Sequence, residues 1–116
     1  MVGYGSEDNH FVVELTYNYT VKSYDLGNDY NCITIKSKAA FANAQAQSDF
    51  PVLDASEDSL RIAVTGGYQF KLVNEDAAAG SDPVQSLTLN VTSLADSLSV
   101  LAHARSLVPL LIELPW

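Results

Sequence analysis

The stretch from Leu94 to Trp116 reads LADSLSVLAHARSLVPLLIELPW. It predicts the element that packs on the rest of the fold. Its apolar residues recur at helical spacing, at Leu94, Leu98, Leu101 and Val108. One face of a helix is therefore apolar and is expected to lie on a sheet. Pro109 is expected to end this helix, because the residue before a proline is pushed out of the helical region. An apolar tail, residues 109–116, then follows.

Upstream of this helix, three stretches alternate between apolar and polar residues, a period of two that is typical of half-buried strands. They cover residues 11–24, 30–42 and 60–73, with a polar stretch at 43–59 interpreted as a long loop. Gly66 and Gly67 interrupt the third stretch, and paired glycines in a strand predict a bulge or a close backbone approach. Brief alternation at residues 87–91 leaves a fourth strand open.

The predicted fold class is α+β: an antiparallel sheet of three to four strands packed by one C-terminal helix. We expect a single domain over residues 1–116, with residues 1–10 as a flexible tail. At 116 residues and 47% hydrophobic composition the chain is of ordinary domain size and not disordered. No apolar run approaches the length that spans a bilayer, so no membrane insertion is expected.

Charge and cysteine content limit which kinds of function and which cellular location are expected for the chain. Fourteen acidic residues against six basic ones give a net charge of −8, which disfavours nucleic-acid binding. A single cysteine excludes an internal disulfide, and the N-terminus lacks a secretory signal, so a cytoplasmic location is expected. Most of the basic residues fall on the polar strand faces, either to discourage edge-to-edge aggregation or to dock an acidic partner.

The sequence contains none of the common catalytic motifs. The two histidines have no second ligand at metal spacing, and neither a G-x-S-x-G elbow nor a phosphate-binding loop occurs. The sequence therefore predicts no catalytic residue, no metal, no cofactor and no enzymatic activity.

Two motifs nevertheless resemble those of a known family. In the third stretch, IAVTGGYQF, apolar alternation leads to a glycine and then to aromatics, at Ile62, Val64, Gly66, Tyr68 and Phe70. The helix carries HARSLV at 103–108, followed by Pro109 and an apolar extension. Together with the order of strands and helix, these motifs resemble the SecB-like export chaperones. The family's usual first strand and lid helix have no counterpart here.

The resemblance implies a non-catalytic protein-binding domain that works as a holdase on unfolded or extended polypeptide and forms a homo-oligomer. The residues expected to bind a client or partner are aromatic or apolar: Tyr17, Tyr19, Phe41, Tyr68, Phe70, Leu111 and Trp116. The residues expected to have structural roles are Gly66, Gly67, Arg105 and Pro109. The alternative is a small structural protein of a multi-subunit assembly such as a virion, anchored by its C-terminal tail and located in the particle.

Overall fold

The computed structural model describes residues 1–47, 49–101 and 110–113, with backbone alone for 101 and 110–113. A short hairpin pairs β1 (Val2–Gly3) with β2 (Val12–Val13). The main sheet has six strands in the order β4-β5-β6-β3-β7-β8. Their bounds are β3 Tyr30–Lys36, β4 Val52–Ala55, β5 Ser59–Ala63, β6 Gln69–Val73, β7 Val84–Asn90 and β8 Leu110–Glu113. The helices described are α1 (Lys38–Ala46) and α2 (Leu94–Leu101).

The main sheet is mixed, and β3 lies near its middle. It pairs in parallel with β6 and antiparallel with β7, while β7 pairs in parallel with β8. Parallel neighbours need a crossover connection, and each of these two connections contains a helix. The strands β4, β5 and β6 form an antiparallel meander that returns the chain to β3.

Helix α1 covers one face of the meander. Ser37 caps its N-terminus by accepting a hydrogen bond from the backbone N–H of Ala40 at 3.2 Å, and Asp76 accepts one from the N–H of Lys38 at 3.0 Å. The helix buries Phe41 against three strand residues: Leu60, Ile62 and Leu72. Because these side chains come from α1, β5 and β6, the main core lies between the helix and the meander.

The α+β class is confirmed, whereas the predicted antiparallel sheet of three to four strands with a C-terminal helix as its cover is wrong. The sheet is mixed, and the helix in its core is α1, which replaces the end of the predicted second strand and the start of the predicted loop. The stretch has a recognisable helix signal, since alanine is the best helix former and Ser37 is a preferred cap. The apolar residues also alternate as in a strand up to Phe41, and this pattern led to the prediction of a strand instead of a helix.

The first predicted strand, residues 11–24, is also wrong over most of its length. Val12–Val13 alone is a strand, and residues 14–29 are exposed and belong to no strand of the described chain. The expected flexible tail, residues 1–10, instead contains β1, which pairs with β2. Alternation predicts a strand only where a partner strand is available to hydrogen-bond with it, and no strand among the described residues pairs with residues 14–24.

The third predicted strand is a hairpin of β5 and β6. Gly66 and Gly67 have φ values of +87° and +85°, which glycine adopts without steric cost. The Val64 N–H donates to the Tyr68 carbonyl oxygen at 2.8 Å, and the Gly67 N–H donates to the Val64 carbonyl oxygen at 2.9 Å. The two glycines therefore form a tight turn between two strands, where the sequence predicted a bulge or a close backbone approach within one strand.

The C-terminal part of the chain is described at residues 94–101 and 110–113. Helix α2 forms where predicted, and the backbone of residues 110–113, within the expected apolar tail, pairs with β7 as an edge strand. His103, Arg105, Pro109 and Trp116 lie outside the described residues. Neither helix in the described part of the chain has the length and apolar character needed to cross a membrane.

Candidate functional site on the polar face of the sheet

A series of hydrogen-bonded polar side chains crosses four adjacent strands of the main sheet. Arg61 on β5 donates through Nη1 to Gln69 Oε1 on β6 at 3.1 Å and to Asn31 Oδ1 on β3 at 3.0 Å. Asn31 Nδ2 donates to Asn90 Oδ1 on β7 at 3.3 Å. All four residues are partly buried, so these hydrogen bonds hold the side chains in place on the sheet. We call Arg61, Gln69, Asn31 and Asn90 the polar network.

A second cation lies beside this network. Lys71 on β6 is the register partner of both Arg61 on β5 and Thr34 on β3, so the three side chains share one face of the sheet. Among the residues described, the one ion pair joins Lys36 Nζ to Glu75 Oε1 at 3.2 Å. Arg61 and Lys71 therefore have no carboxylate partner in that part of the chain, and their charges are available to an anion.

An open pocket of about 510 Å³ adjoins one end of the network. Asn31 and Gln69 line it, together with residues from the loop before β3, the start of β3 and the turn before β6: Tyr24, Asp25, Leu26, Gly27, Asp29, Tyr30, Gly67 and Tyr68. The wall is thus partly aromatic and partly polar, which is the usual composition of a site for a small molecule.

Tyr30 is fixed at the wall of this pocket. Its hydroxyl donates to the carbonyl oxygen of Gln69 at 2.5 Å, and its ring meets that of Tyr68 edge to face with centroids 5.9 Å apart. Burial raises the pKa of Tyr30 to about 12. The phenol therefore remains neutral and a hydrogen-bond donor through the physiological range.

The residues predicted from sequence to bind a partner do not converge on this site. Tyr68 lines the pocket, but Tyr17 and Tyr19 project from the segment before it, 79% and 82% exposed. Phe41 is 4% exposed in the core, and Phe70 packs beside that core. Leu111 lies on β8, where its backbone is paired with Thr88, and Trp116 lies outside the described residues.

The polar network was missed by sequence reasoning. The sequence pattern places Arg61 and Lys71 among the basic residues of the polar strand faces, interpreted either as discouraging edge-to-edge aggregation or as docking an acidic partner. Asn31 and Gln69 gave no signal, because an isolated amide in a strand is ordinary. Only the register between β5, β6, β3 and β7 brings the four groups within hydrogen-bond distance.

Within residues 1–47 and 49–101, no three or more His, Cys, Asp and Glu side chains form a group that could hold a metal ion. Cys32 is a buried free thiol on β3, 2% exposed.

The chain is similar to proteins of known class. It is 43% identical over 99 residues to a glyoxalase domain-containing protein 4 of Mus musculus, a match that covers 85% of this chain and 33% of that one. It is 56% identical over 34 residues to a lactoylglutathione lyase of Salmonella typhimurium, covering 29% of this chain and 25% of that one. No protein-family model matches the chain.

Solved structures agree with the sequence comparison. The crystal structure of glyoxalase I from Zea mays superimposes with a TM-score of 0.69 at 24% sequence identity, covering 85% of this chain and 38% of that one. The likeness shows a shared fold. The chain spans about a third of the length of the mouse relative.

These findings correct the functional predictions made from sequence. The SecB-like resemblance is wrong, because the homologues are glyoxalase domain proteins and the IAVTGGYQF motif is a hairpin and not one strand. The holdase, the virion component and the absence of enzymatic activity are contradicted by the same homologues. A homo-oligomer remains compatible with them, whereas nothing supports the binding of unfolded clients. The homologues of this chain are glyoxalase domain proteins, and its sheet has the fold of glyoxalase I.

Proposed function

We propose that the chain is part of a glyoxalase-type enzyme and binds a glutathione thioester of the lactoylglutathione class. The observation that carries the proposal is the pair of cations, Arg61 and Lys71, on the polar face next to an open pocket of about 510 Å³. The similarity to a lactoylglutathione lyase indicates the substrate class. The substrate class and the reaction are proposals, since the chain spans a third of its mouse relative.

The chemistry of the network suits such a ligand. A glutathione derivative carries two carboxylates, and an arginine guanidinium binds a carboxylate through two parallel hydrogen bonds. The described hydrogen bonds of Arg61 use Nη1, so its Nε and Nη2 donors remain for a ligand. Asn31 and Gln69 hold the guanidinium in position, which reduces the entropy lost on binding.

The aromatic wall supplies the second part of the recognition. Tyr30 and Tyr68 form an edge-to-face pair beside the polar network, against which the apolar portion of a thioester packs. The Tyr30 hydroxyl already donates its hydrogen bond to the Gln69 carbonyl oxygen. We therefore assign Tyr30 to the wall of the pocket and not to the role of a general acid. The proposal therefore assigns substrate binding to this chain, with Arg61 as the main contact.

The test is calorimetric titration of the 116-residue chain with S-lactoylglutathione. We expect Arg61→Met, which keeps the apolar stem, to weaken binding by roughly tenfold or more, because hydrogen bonds to charged groups contribute most. Lys36→Met is the matched control, since it removes a cation that is already paired with Glu75, and it is expected to bind as the parent does. Absence of binding by the parent chain, or equal affinity of the Arg61 variant, would overturn the proposal.

A further inference from the structure

Asn90, the last residue of β7, joins the polar network to the chain that leads into β3. Its side-chain Oδ1 accepts a hydrogen bond from Asn31 Nδ2 at 3.3 Å, and its own Nδ2 donates to the Asn28 carbonyl oxygen at 2.8 Å. Its backbone N–H donates to the Asp29 carbonyl oxygen at 2.7 Å. Both ends of the Asn90 amide are therefore used, one by the network and one by the backbone before β3.

The hydrogen bonds between Arg61 and Asn28 all run in one direction. A guanidinium only donates and a backbone carbonyl only accepts, so the two ends of the series are fixed by their chemistry. The Asn28 carbonyl requires the Nδ2 end of Asn90, which directs Oδ1 of Asn90 toward Asn31. Asn31 then presents Nδ2 to Asn90 and Oδ1 to Arg61. We call this series, from Arg61 through Asn31 and Asn90 to the Asn28 carbonyl, the amide relay.

We propose that Asn90 is a positioning residue: through the Asn31 amide it holds Arg61 in the orientation that binds a carboxylate of the ligand. The inference deepens the proposed function, and its ligand-binding part rests on that function. If the Asn31 amide turned over, its N–H groups would face the N–H groups of Arg61 and that hydrogen bond would be lost. Asn90 opposes this turn, because the reversed amide would set one carbonyl oxygen against another.

The charge on Arg61 strengthens the amide relay. It polarises the Asn31 amide, which then donates more strongly to Asn90, and such series gain roughly 10–30% per hydrogen bond. The three side chains are partly buried, so water competes less for their polar groups. Gln69 accepts from the same Nη1 atom of Arg61 at 3.1 Å and would remain in place without Asn90. Loss of Asn90 is therefore expected to loosen the guanidinium and not to release it.

Calorimetric titration with S-lactoylglutathione tests the ligand-binding part. Asn90→Ala removes both amide groups and is expected to weaken binding by roughly three- to tenfold, since the Gln69 contact persists. Asn90→Asp keeps an oxygen for Asn31 and is expected to bind within about twofold of the parent. Asn74→Ala is the matched control, because Asn74 Nδ2 also donates to a backbone carbonyl, that of Glu57 at 3.2 Å, but outside the network. It is expected to bind as the parent does.

A double-mutant cycle separates positioning from a general effect on the fold. Arg61→Met removes the group that is positioned, and in this background Asn90→Ala is expected to change the affinity by less than about twofold. An equal loss of affinity in both backgrounds would overturn the inference, because Asn90 would then act independently of Arg61. Circular dichroism checks that each variant is folded.

Nuclear magnetic resonance of the chain without ligand tests the amide relay by itself. A guanidinium held through Nη1 rotates slowly, so its nitrogen–proton signals are expected to be resolved in the parent and in Asn90→Asp. In Asn90→Ala they are expected to be averaged by rotation. The signals of Arg61 are identified by their absence in Arg61→Met. Unchanged Arg61 signals in Asn90→Ala would overturn the inference whatever the affinities are.

The parent chain supplies a measurement that does not depend on the folding of any Asn90 variant. The Asn31 side-chain amide protons, identified with Asn31→Ser, are expected to exchange slowly with solvent because one of them is bonded to Asn90. Rapid exchange would overturn the amide relay. Failure of the parent to bind S-lactoylglutathione, with the resonance results as expected, would overturn the proposed function and leave the positioning of Arg61 by Asn90 supported.

Discussion

At the residue scale, Tyr30 illustrates how a common strand residue acquires a defined electrostatic state. Its position next to the β6 backbone gives the hydroxyl one acceptor, the Gln69 carbonyl at 2.5 Å. Partial burial then disfavours the phenolate, which raises the pKa of Tyr30 to about 12. The neutral phenol therefore contributes to the stability of the fold at all pH values below its unfolded pKa, near 10.

This contribution predicts a specific alkaline sensitivity. Between pH 10 and pH 12 the unfolded chain loses the Tyr30 proton first, so the free energy of unfolding falls as pH rises through this window. We expect the parent to lose more stability than Tyr30→Phe over the same window, by up to about 2 kcal/mol, since one pKa unit corresponds to about 1.4 kcal/mol and solvent screens part of the effect at a half-buried phenol. Urea unfolding at a series of pH values measures the difference.

The control for this prediction is Tyr19→Phe, at a tyrosine that is 82% exposed, which is expected to follow the parent curve. At neutral pH, Tyr30→Phe is expected to cost about 1 kcal/mol through the lost hydrogen bond. Parallel curves for the parent and Tyr30→Phe above pH 10 would contradict the assigned role of burial.

At the element scale, helix α1 has a helix signal in its sequence that a competing strand pattern obscures. Its alanines and the Ser37 cap indicate a helix, yet the apolar alternation of β3 extends as far as Phe41 and favours a strand. The deciding factor is the core: only a helix places Phe41 against Leu60, Ile62 and Leu72. Local pattern alone does not show which of the two arrangements buries more surface.

The cap gives a prediction for this element. Ser37→Ala removes the acceptor for the Ala40 N–H and is expected to lower the free energy of unfolding by about 1 kcal/mol. Ser37→Asp retains an acceptor oxygen at the cap and is expected to unfold close to the parent. Chemical denaturation with circular dichroism detection compares the variants, and equal stability of all three chains would show that the cap contributes nothing.

At the scale of the whole molecule, the sheet order β4-β5-β6-β3-β7-β8 is the property that positions the site. Inserting β3 between β6 and β7 brings Asn31 into contact with Arg61, thirty residues later in sequence, and with Asn90, fifty-nine residues later. Alternation predicted one continuous strand over residues 60–73 and left a short fourth strand open at residues 87–91. It carried no information on which strands are neighbours or which pairs are parallel.

The sheet order also predicts the consequence of shortening the chain. Deleting residues 110–116 removes β8 from the edge and exposes one side of β7. We expect β7 amides to exchange hydrogen faster while amides of β3, β5 and β6 stay protected, because the core with α1 lies on the other half of the sheet. Mass spectrometry of exchanged peptides measures this pattern, and loss of protection throughout would show that β8 is needed for the fold.

The sequence by itself determined the α+β class, the alternation of the hairpin strands and the start of α2, because these depend on neighbours a few positions apart. The tertiary structure alone decided that the sheet is mixed, that α1 and not the C-terminal helix covers the meander, and that Arg61, Gln69, Asn31 and Asn90 meet. The physical reason is that hydrogen bonds between strands join residues far apart in the chain. Their register therefore follows from burying the whole core and not from any one segment.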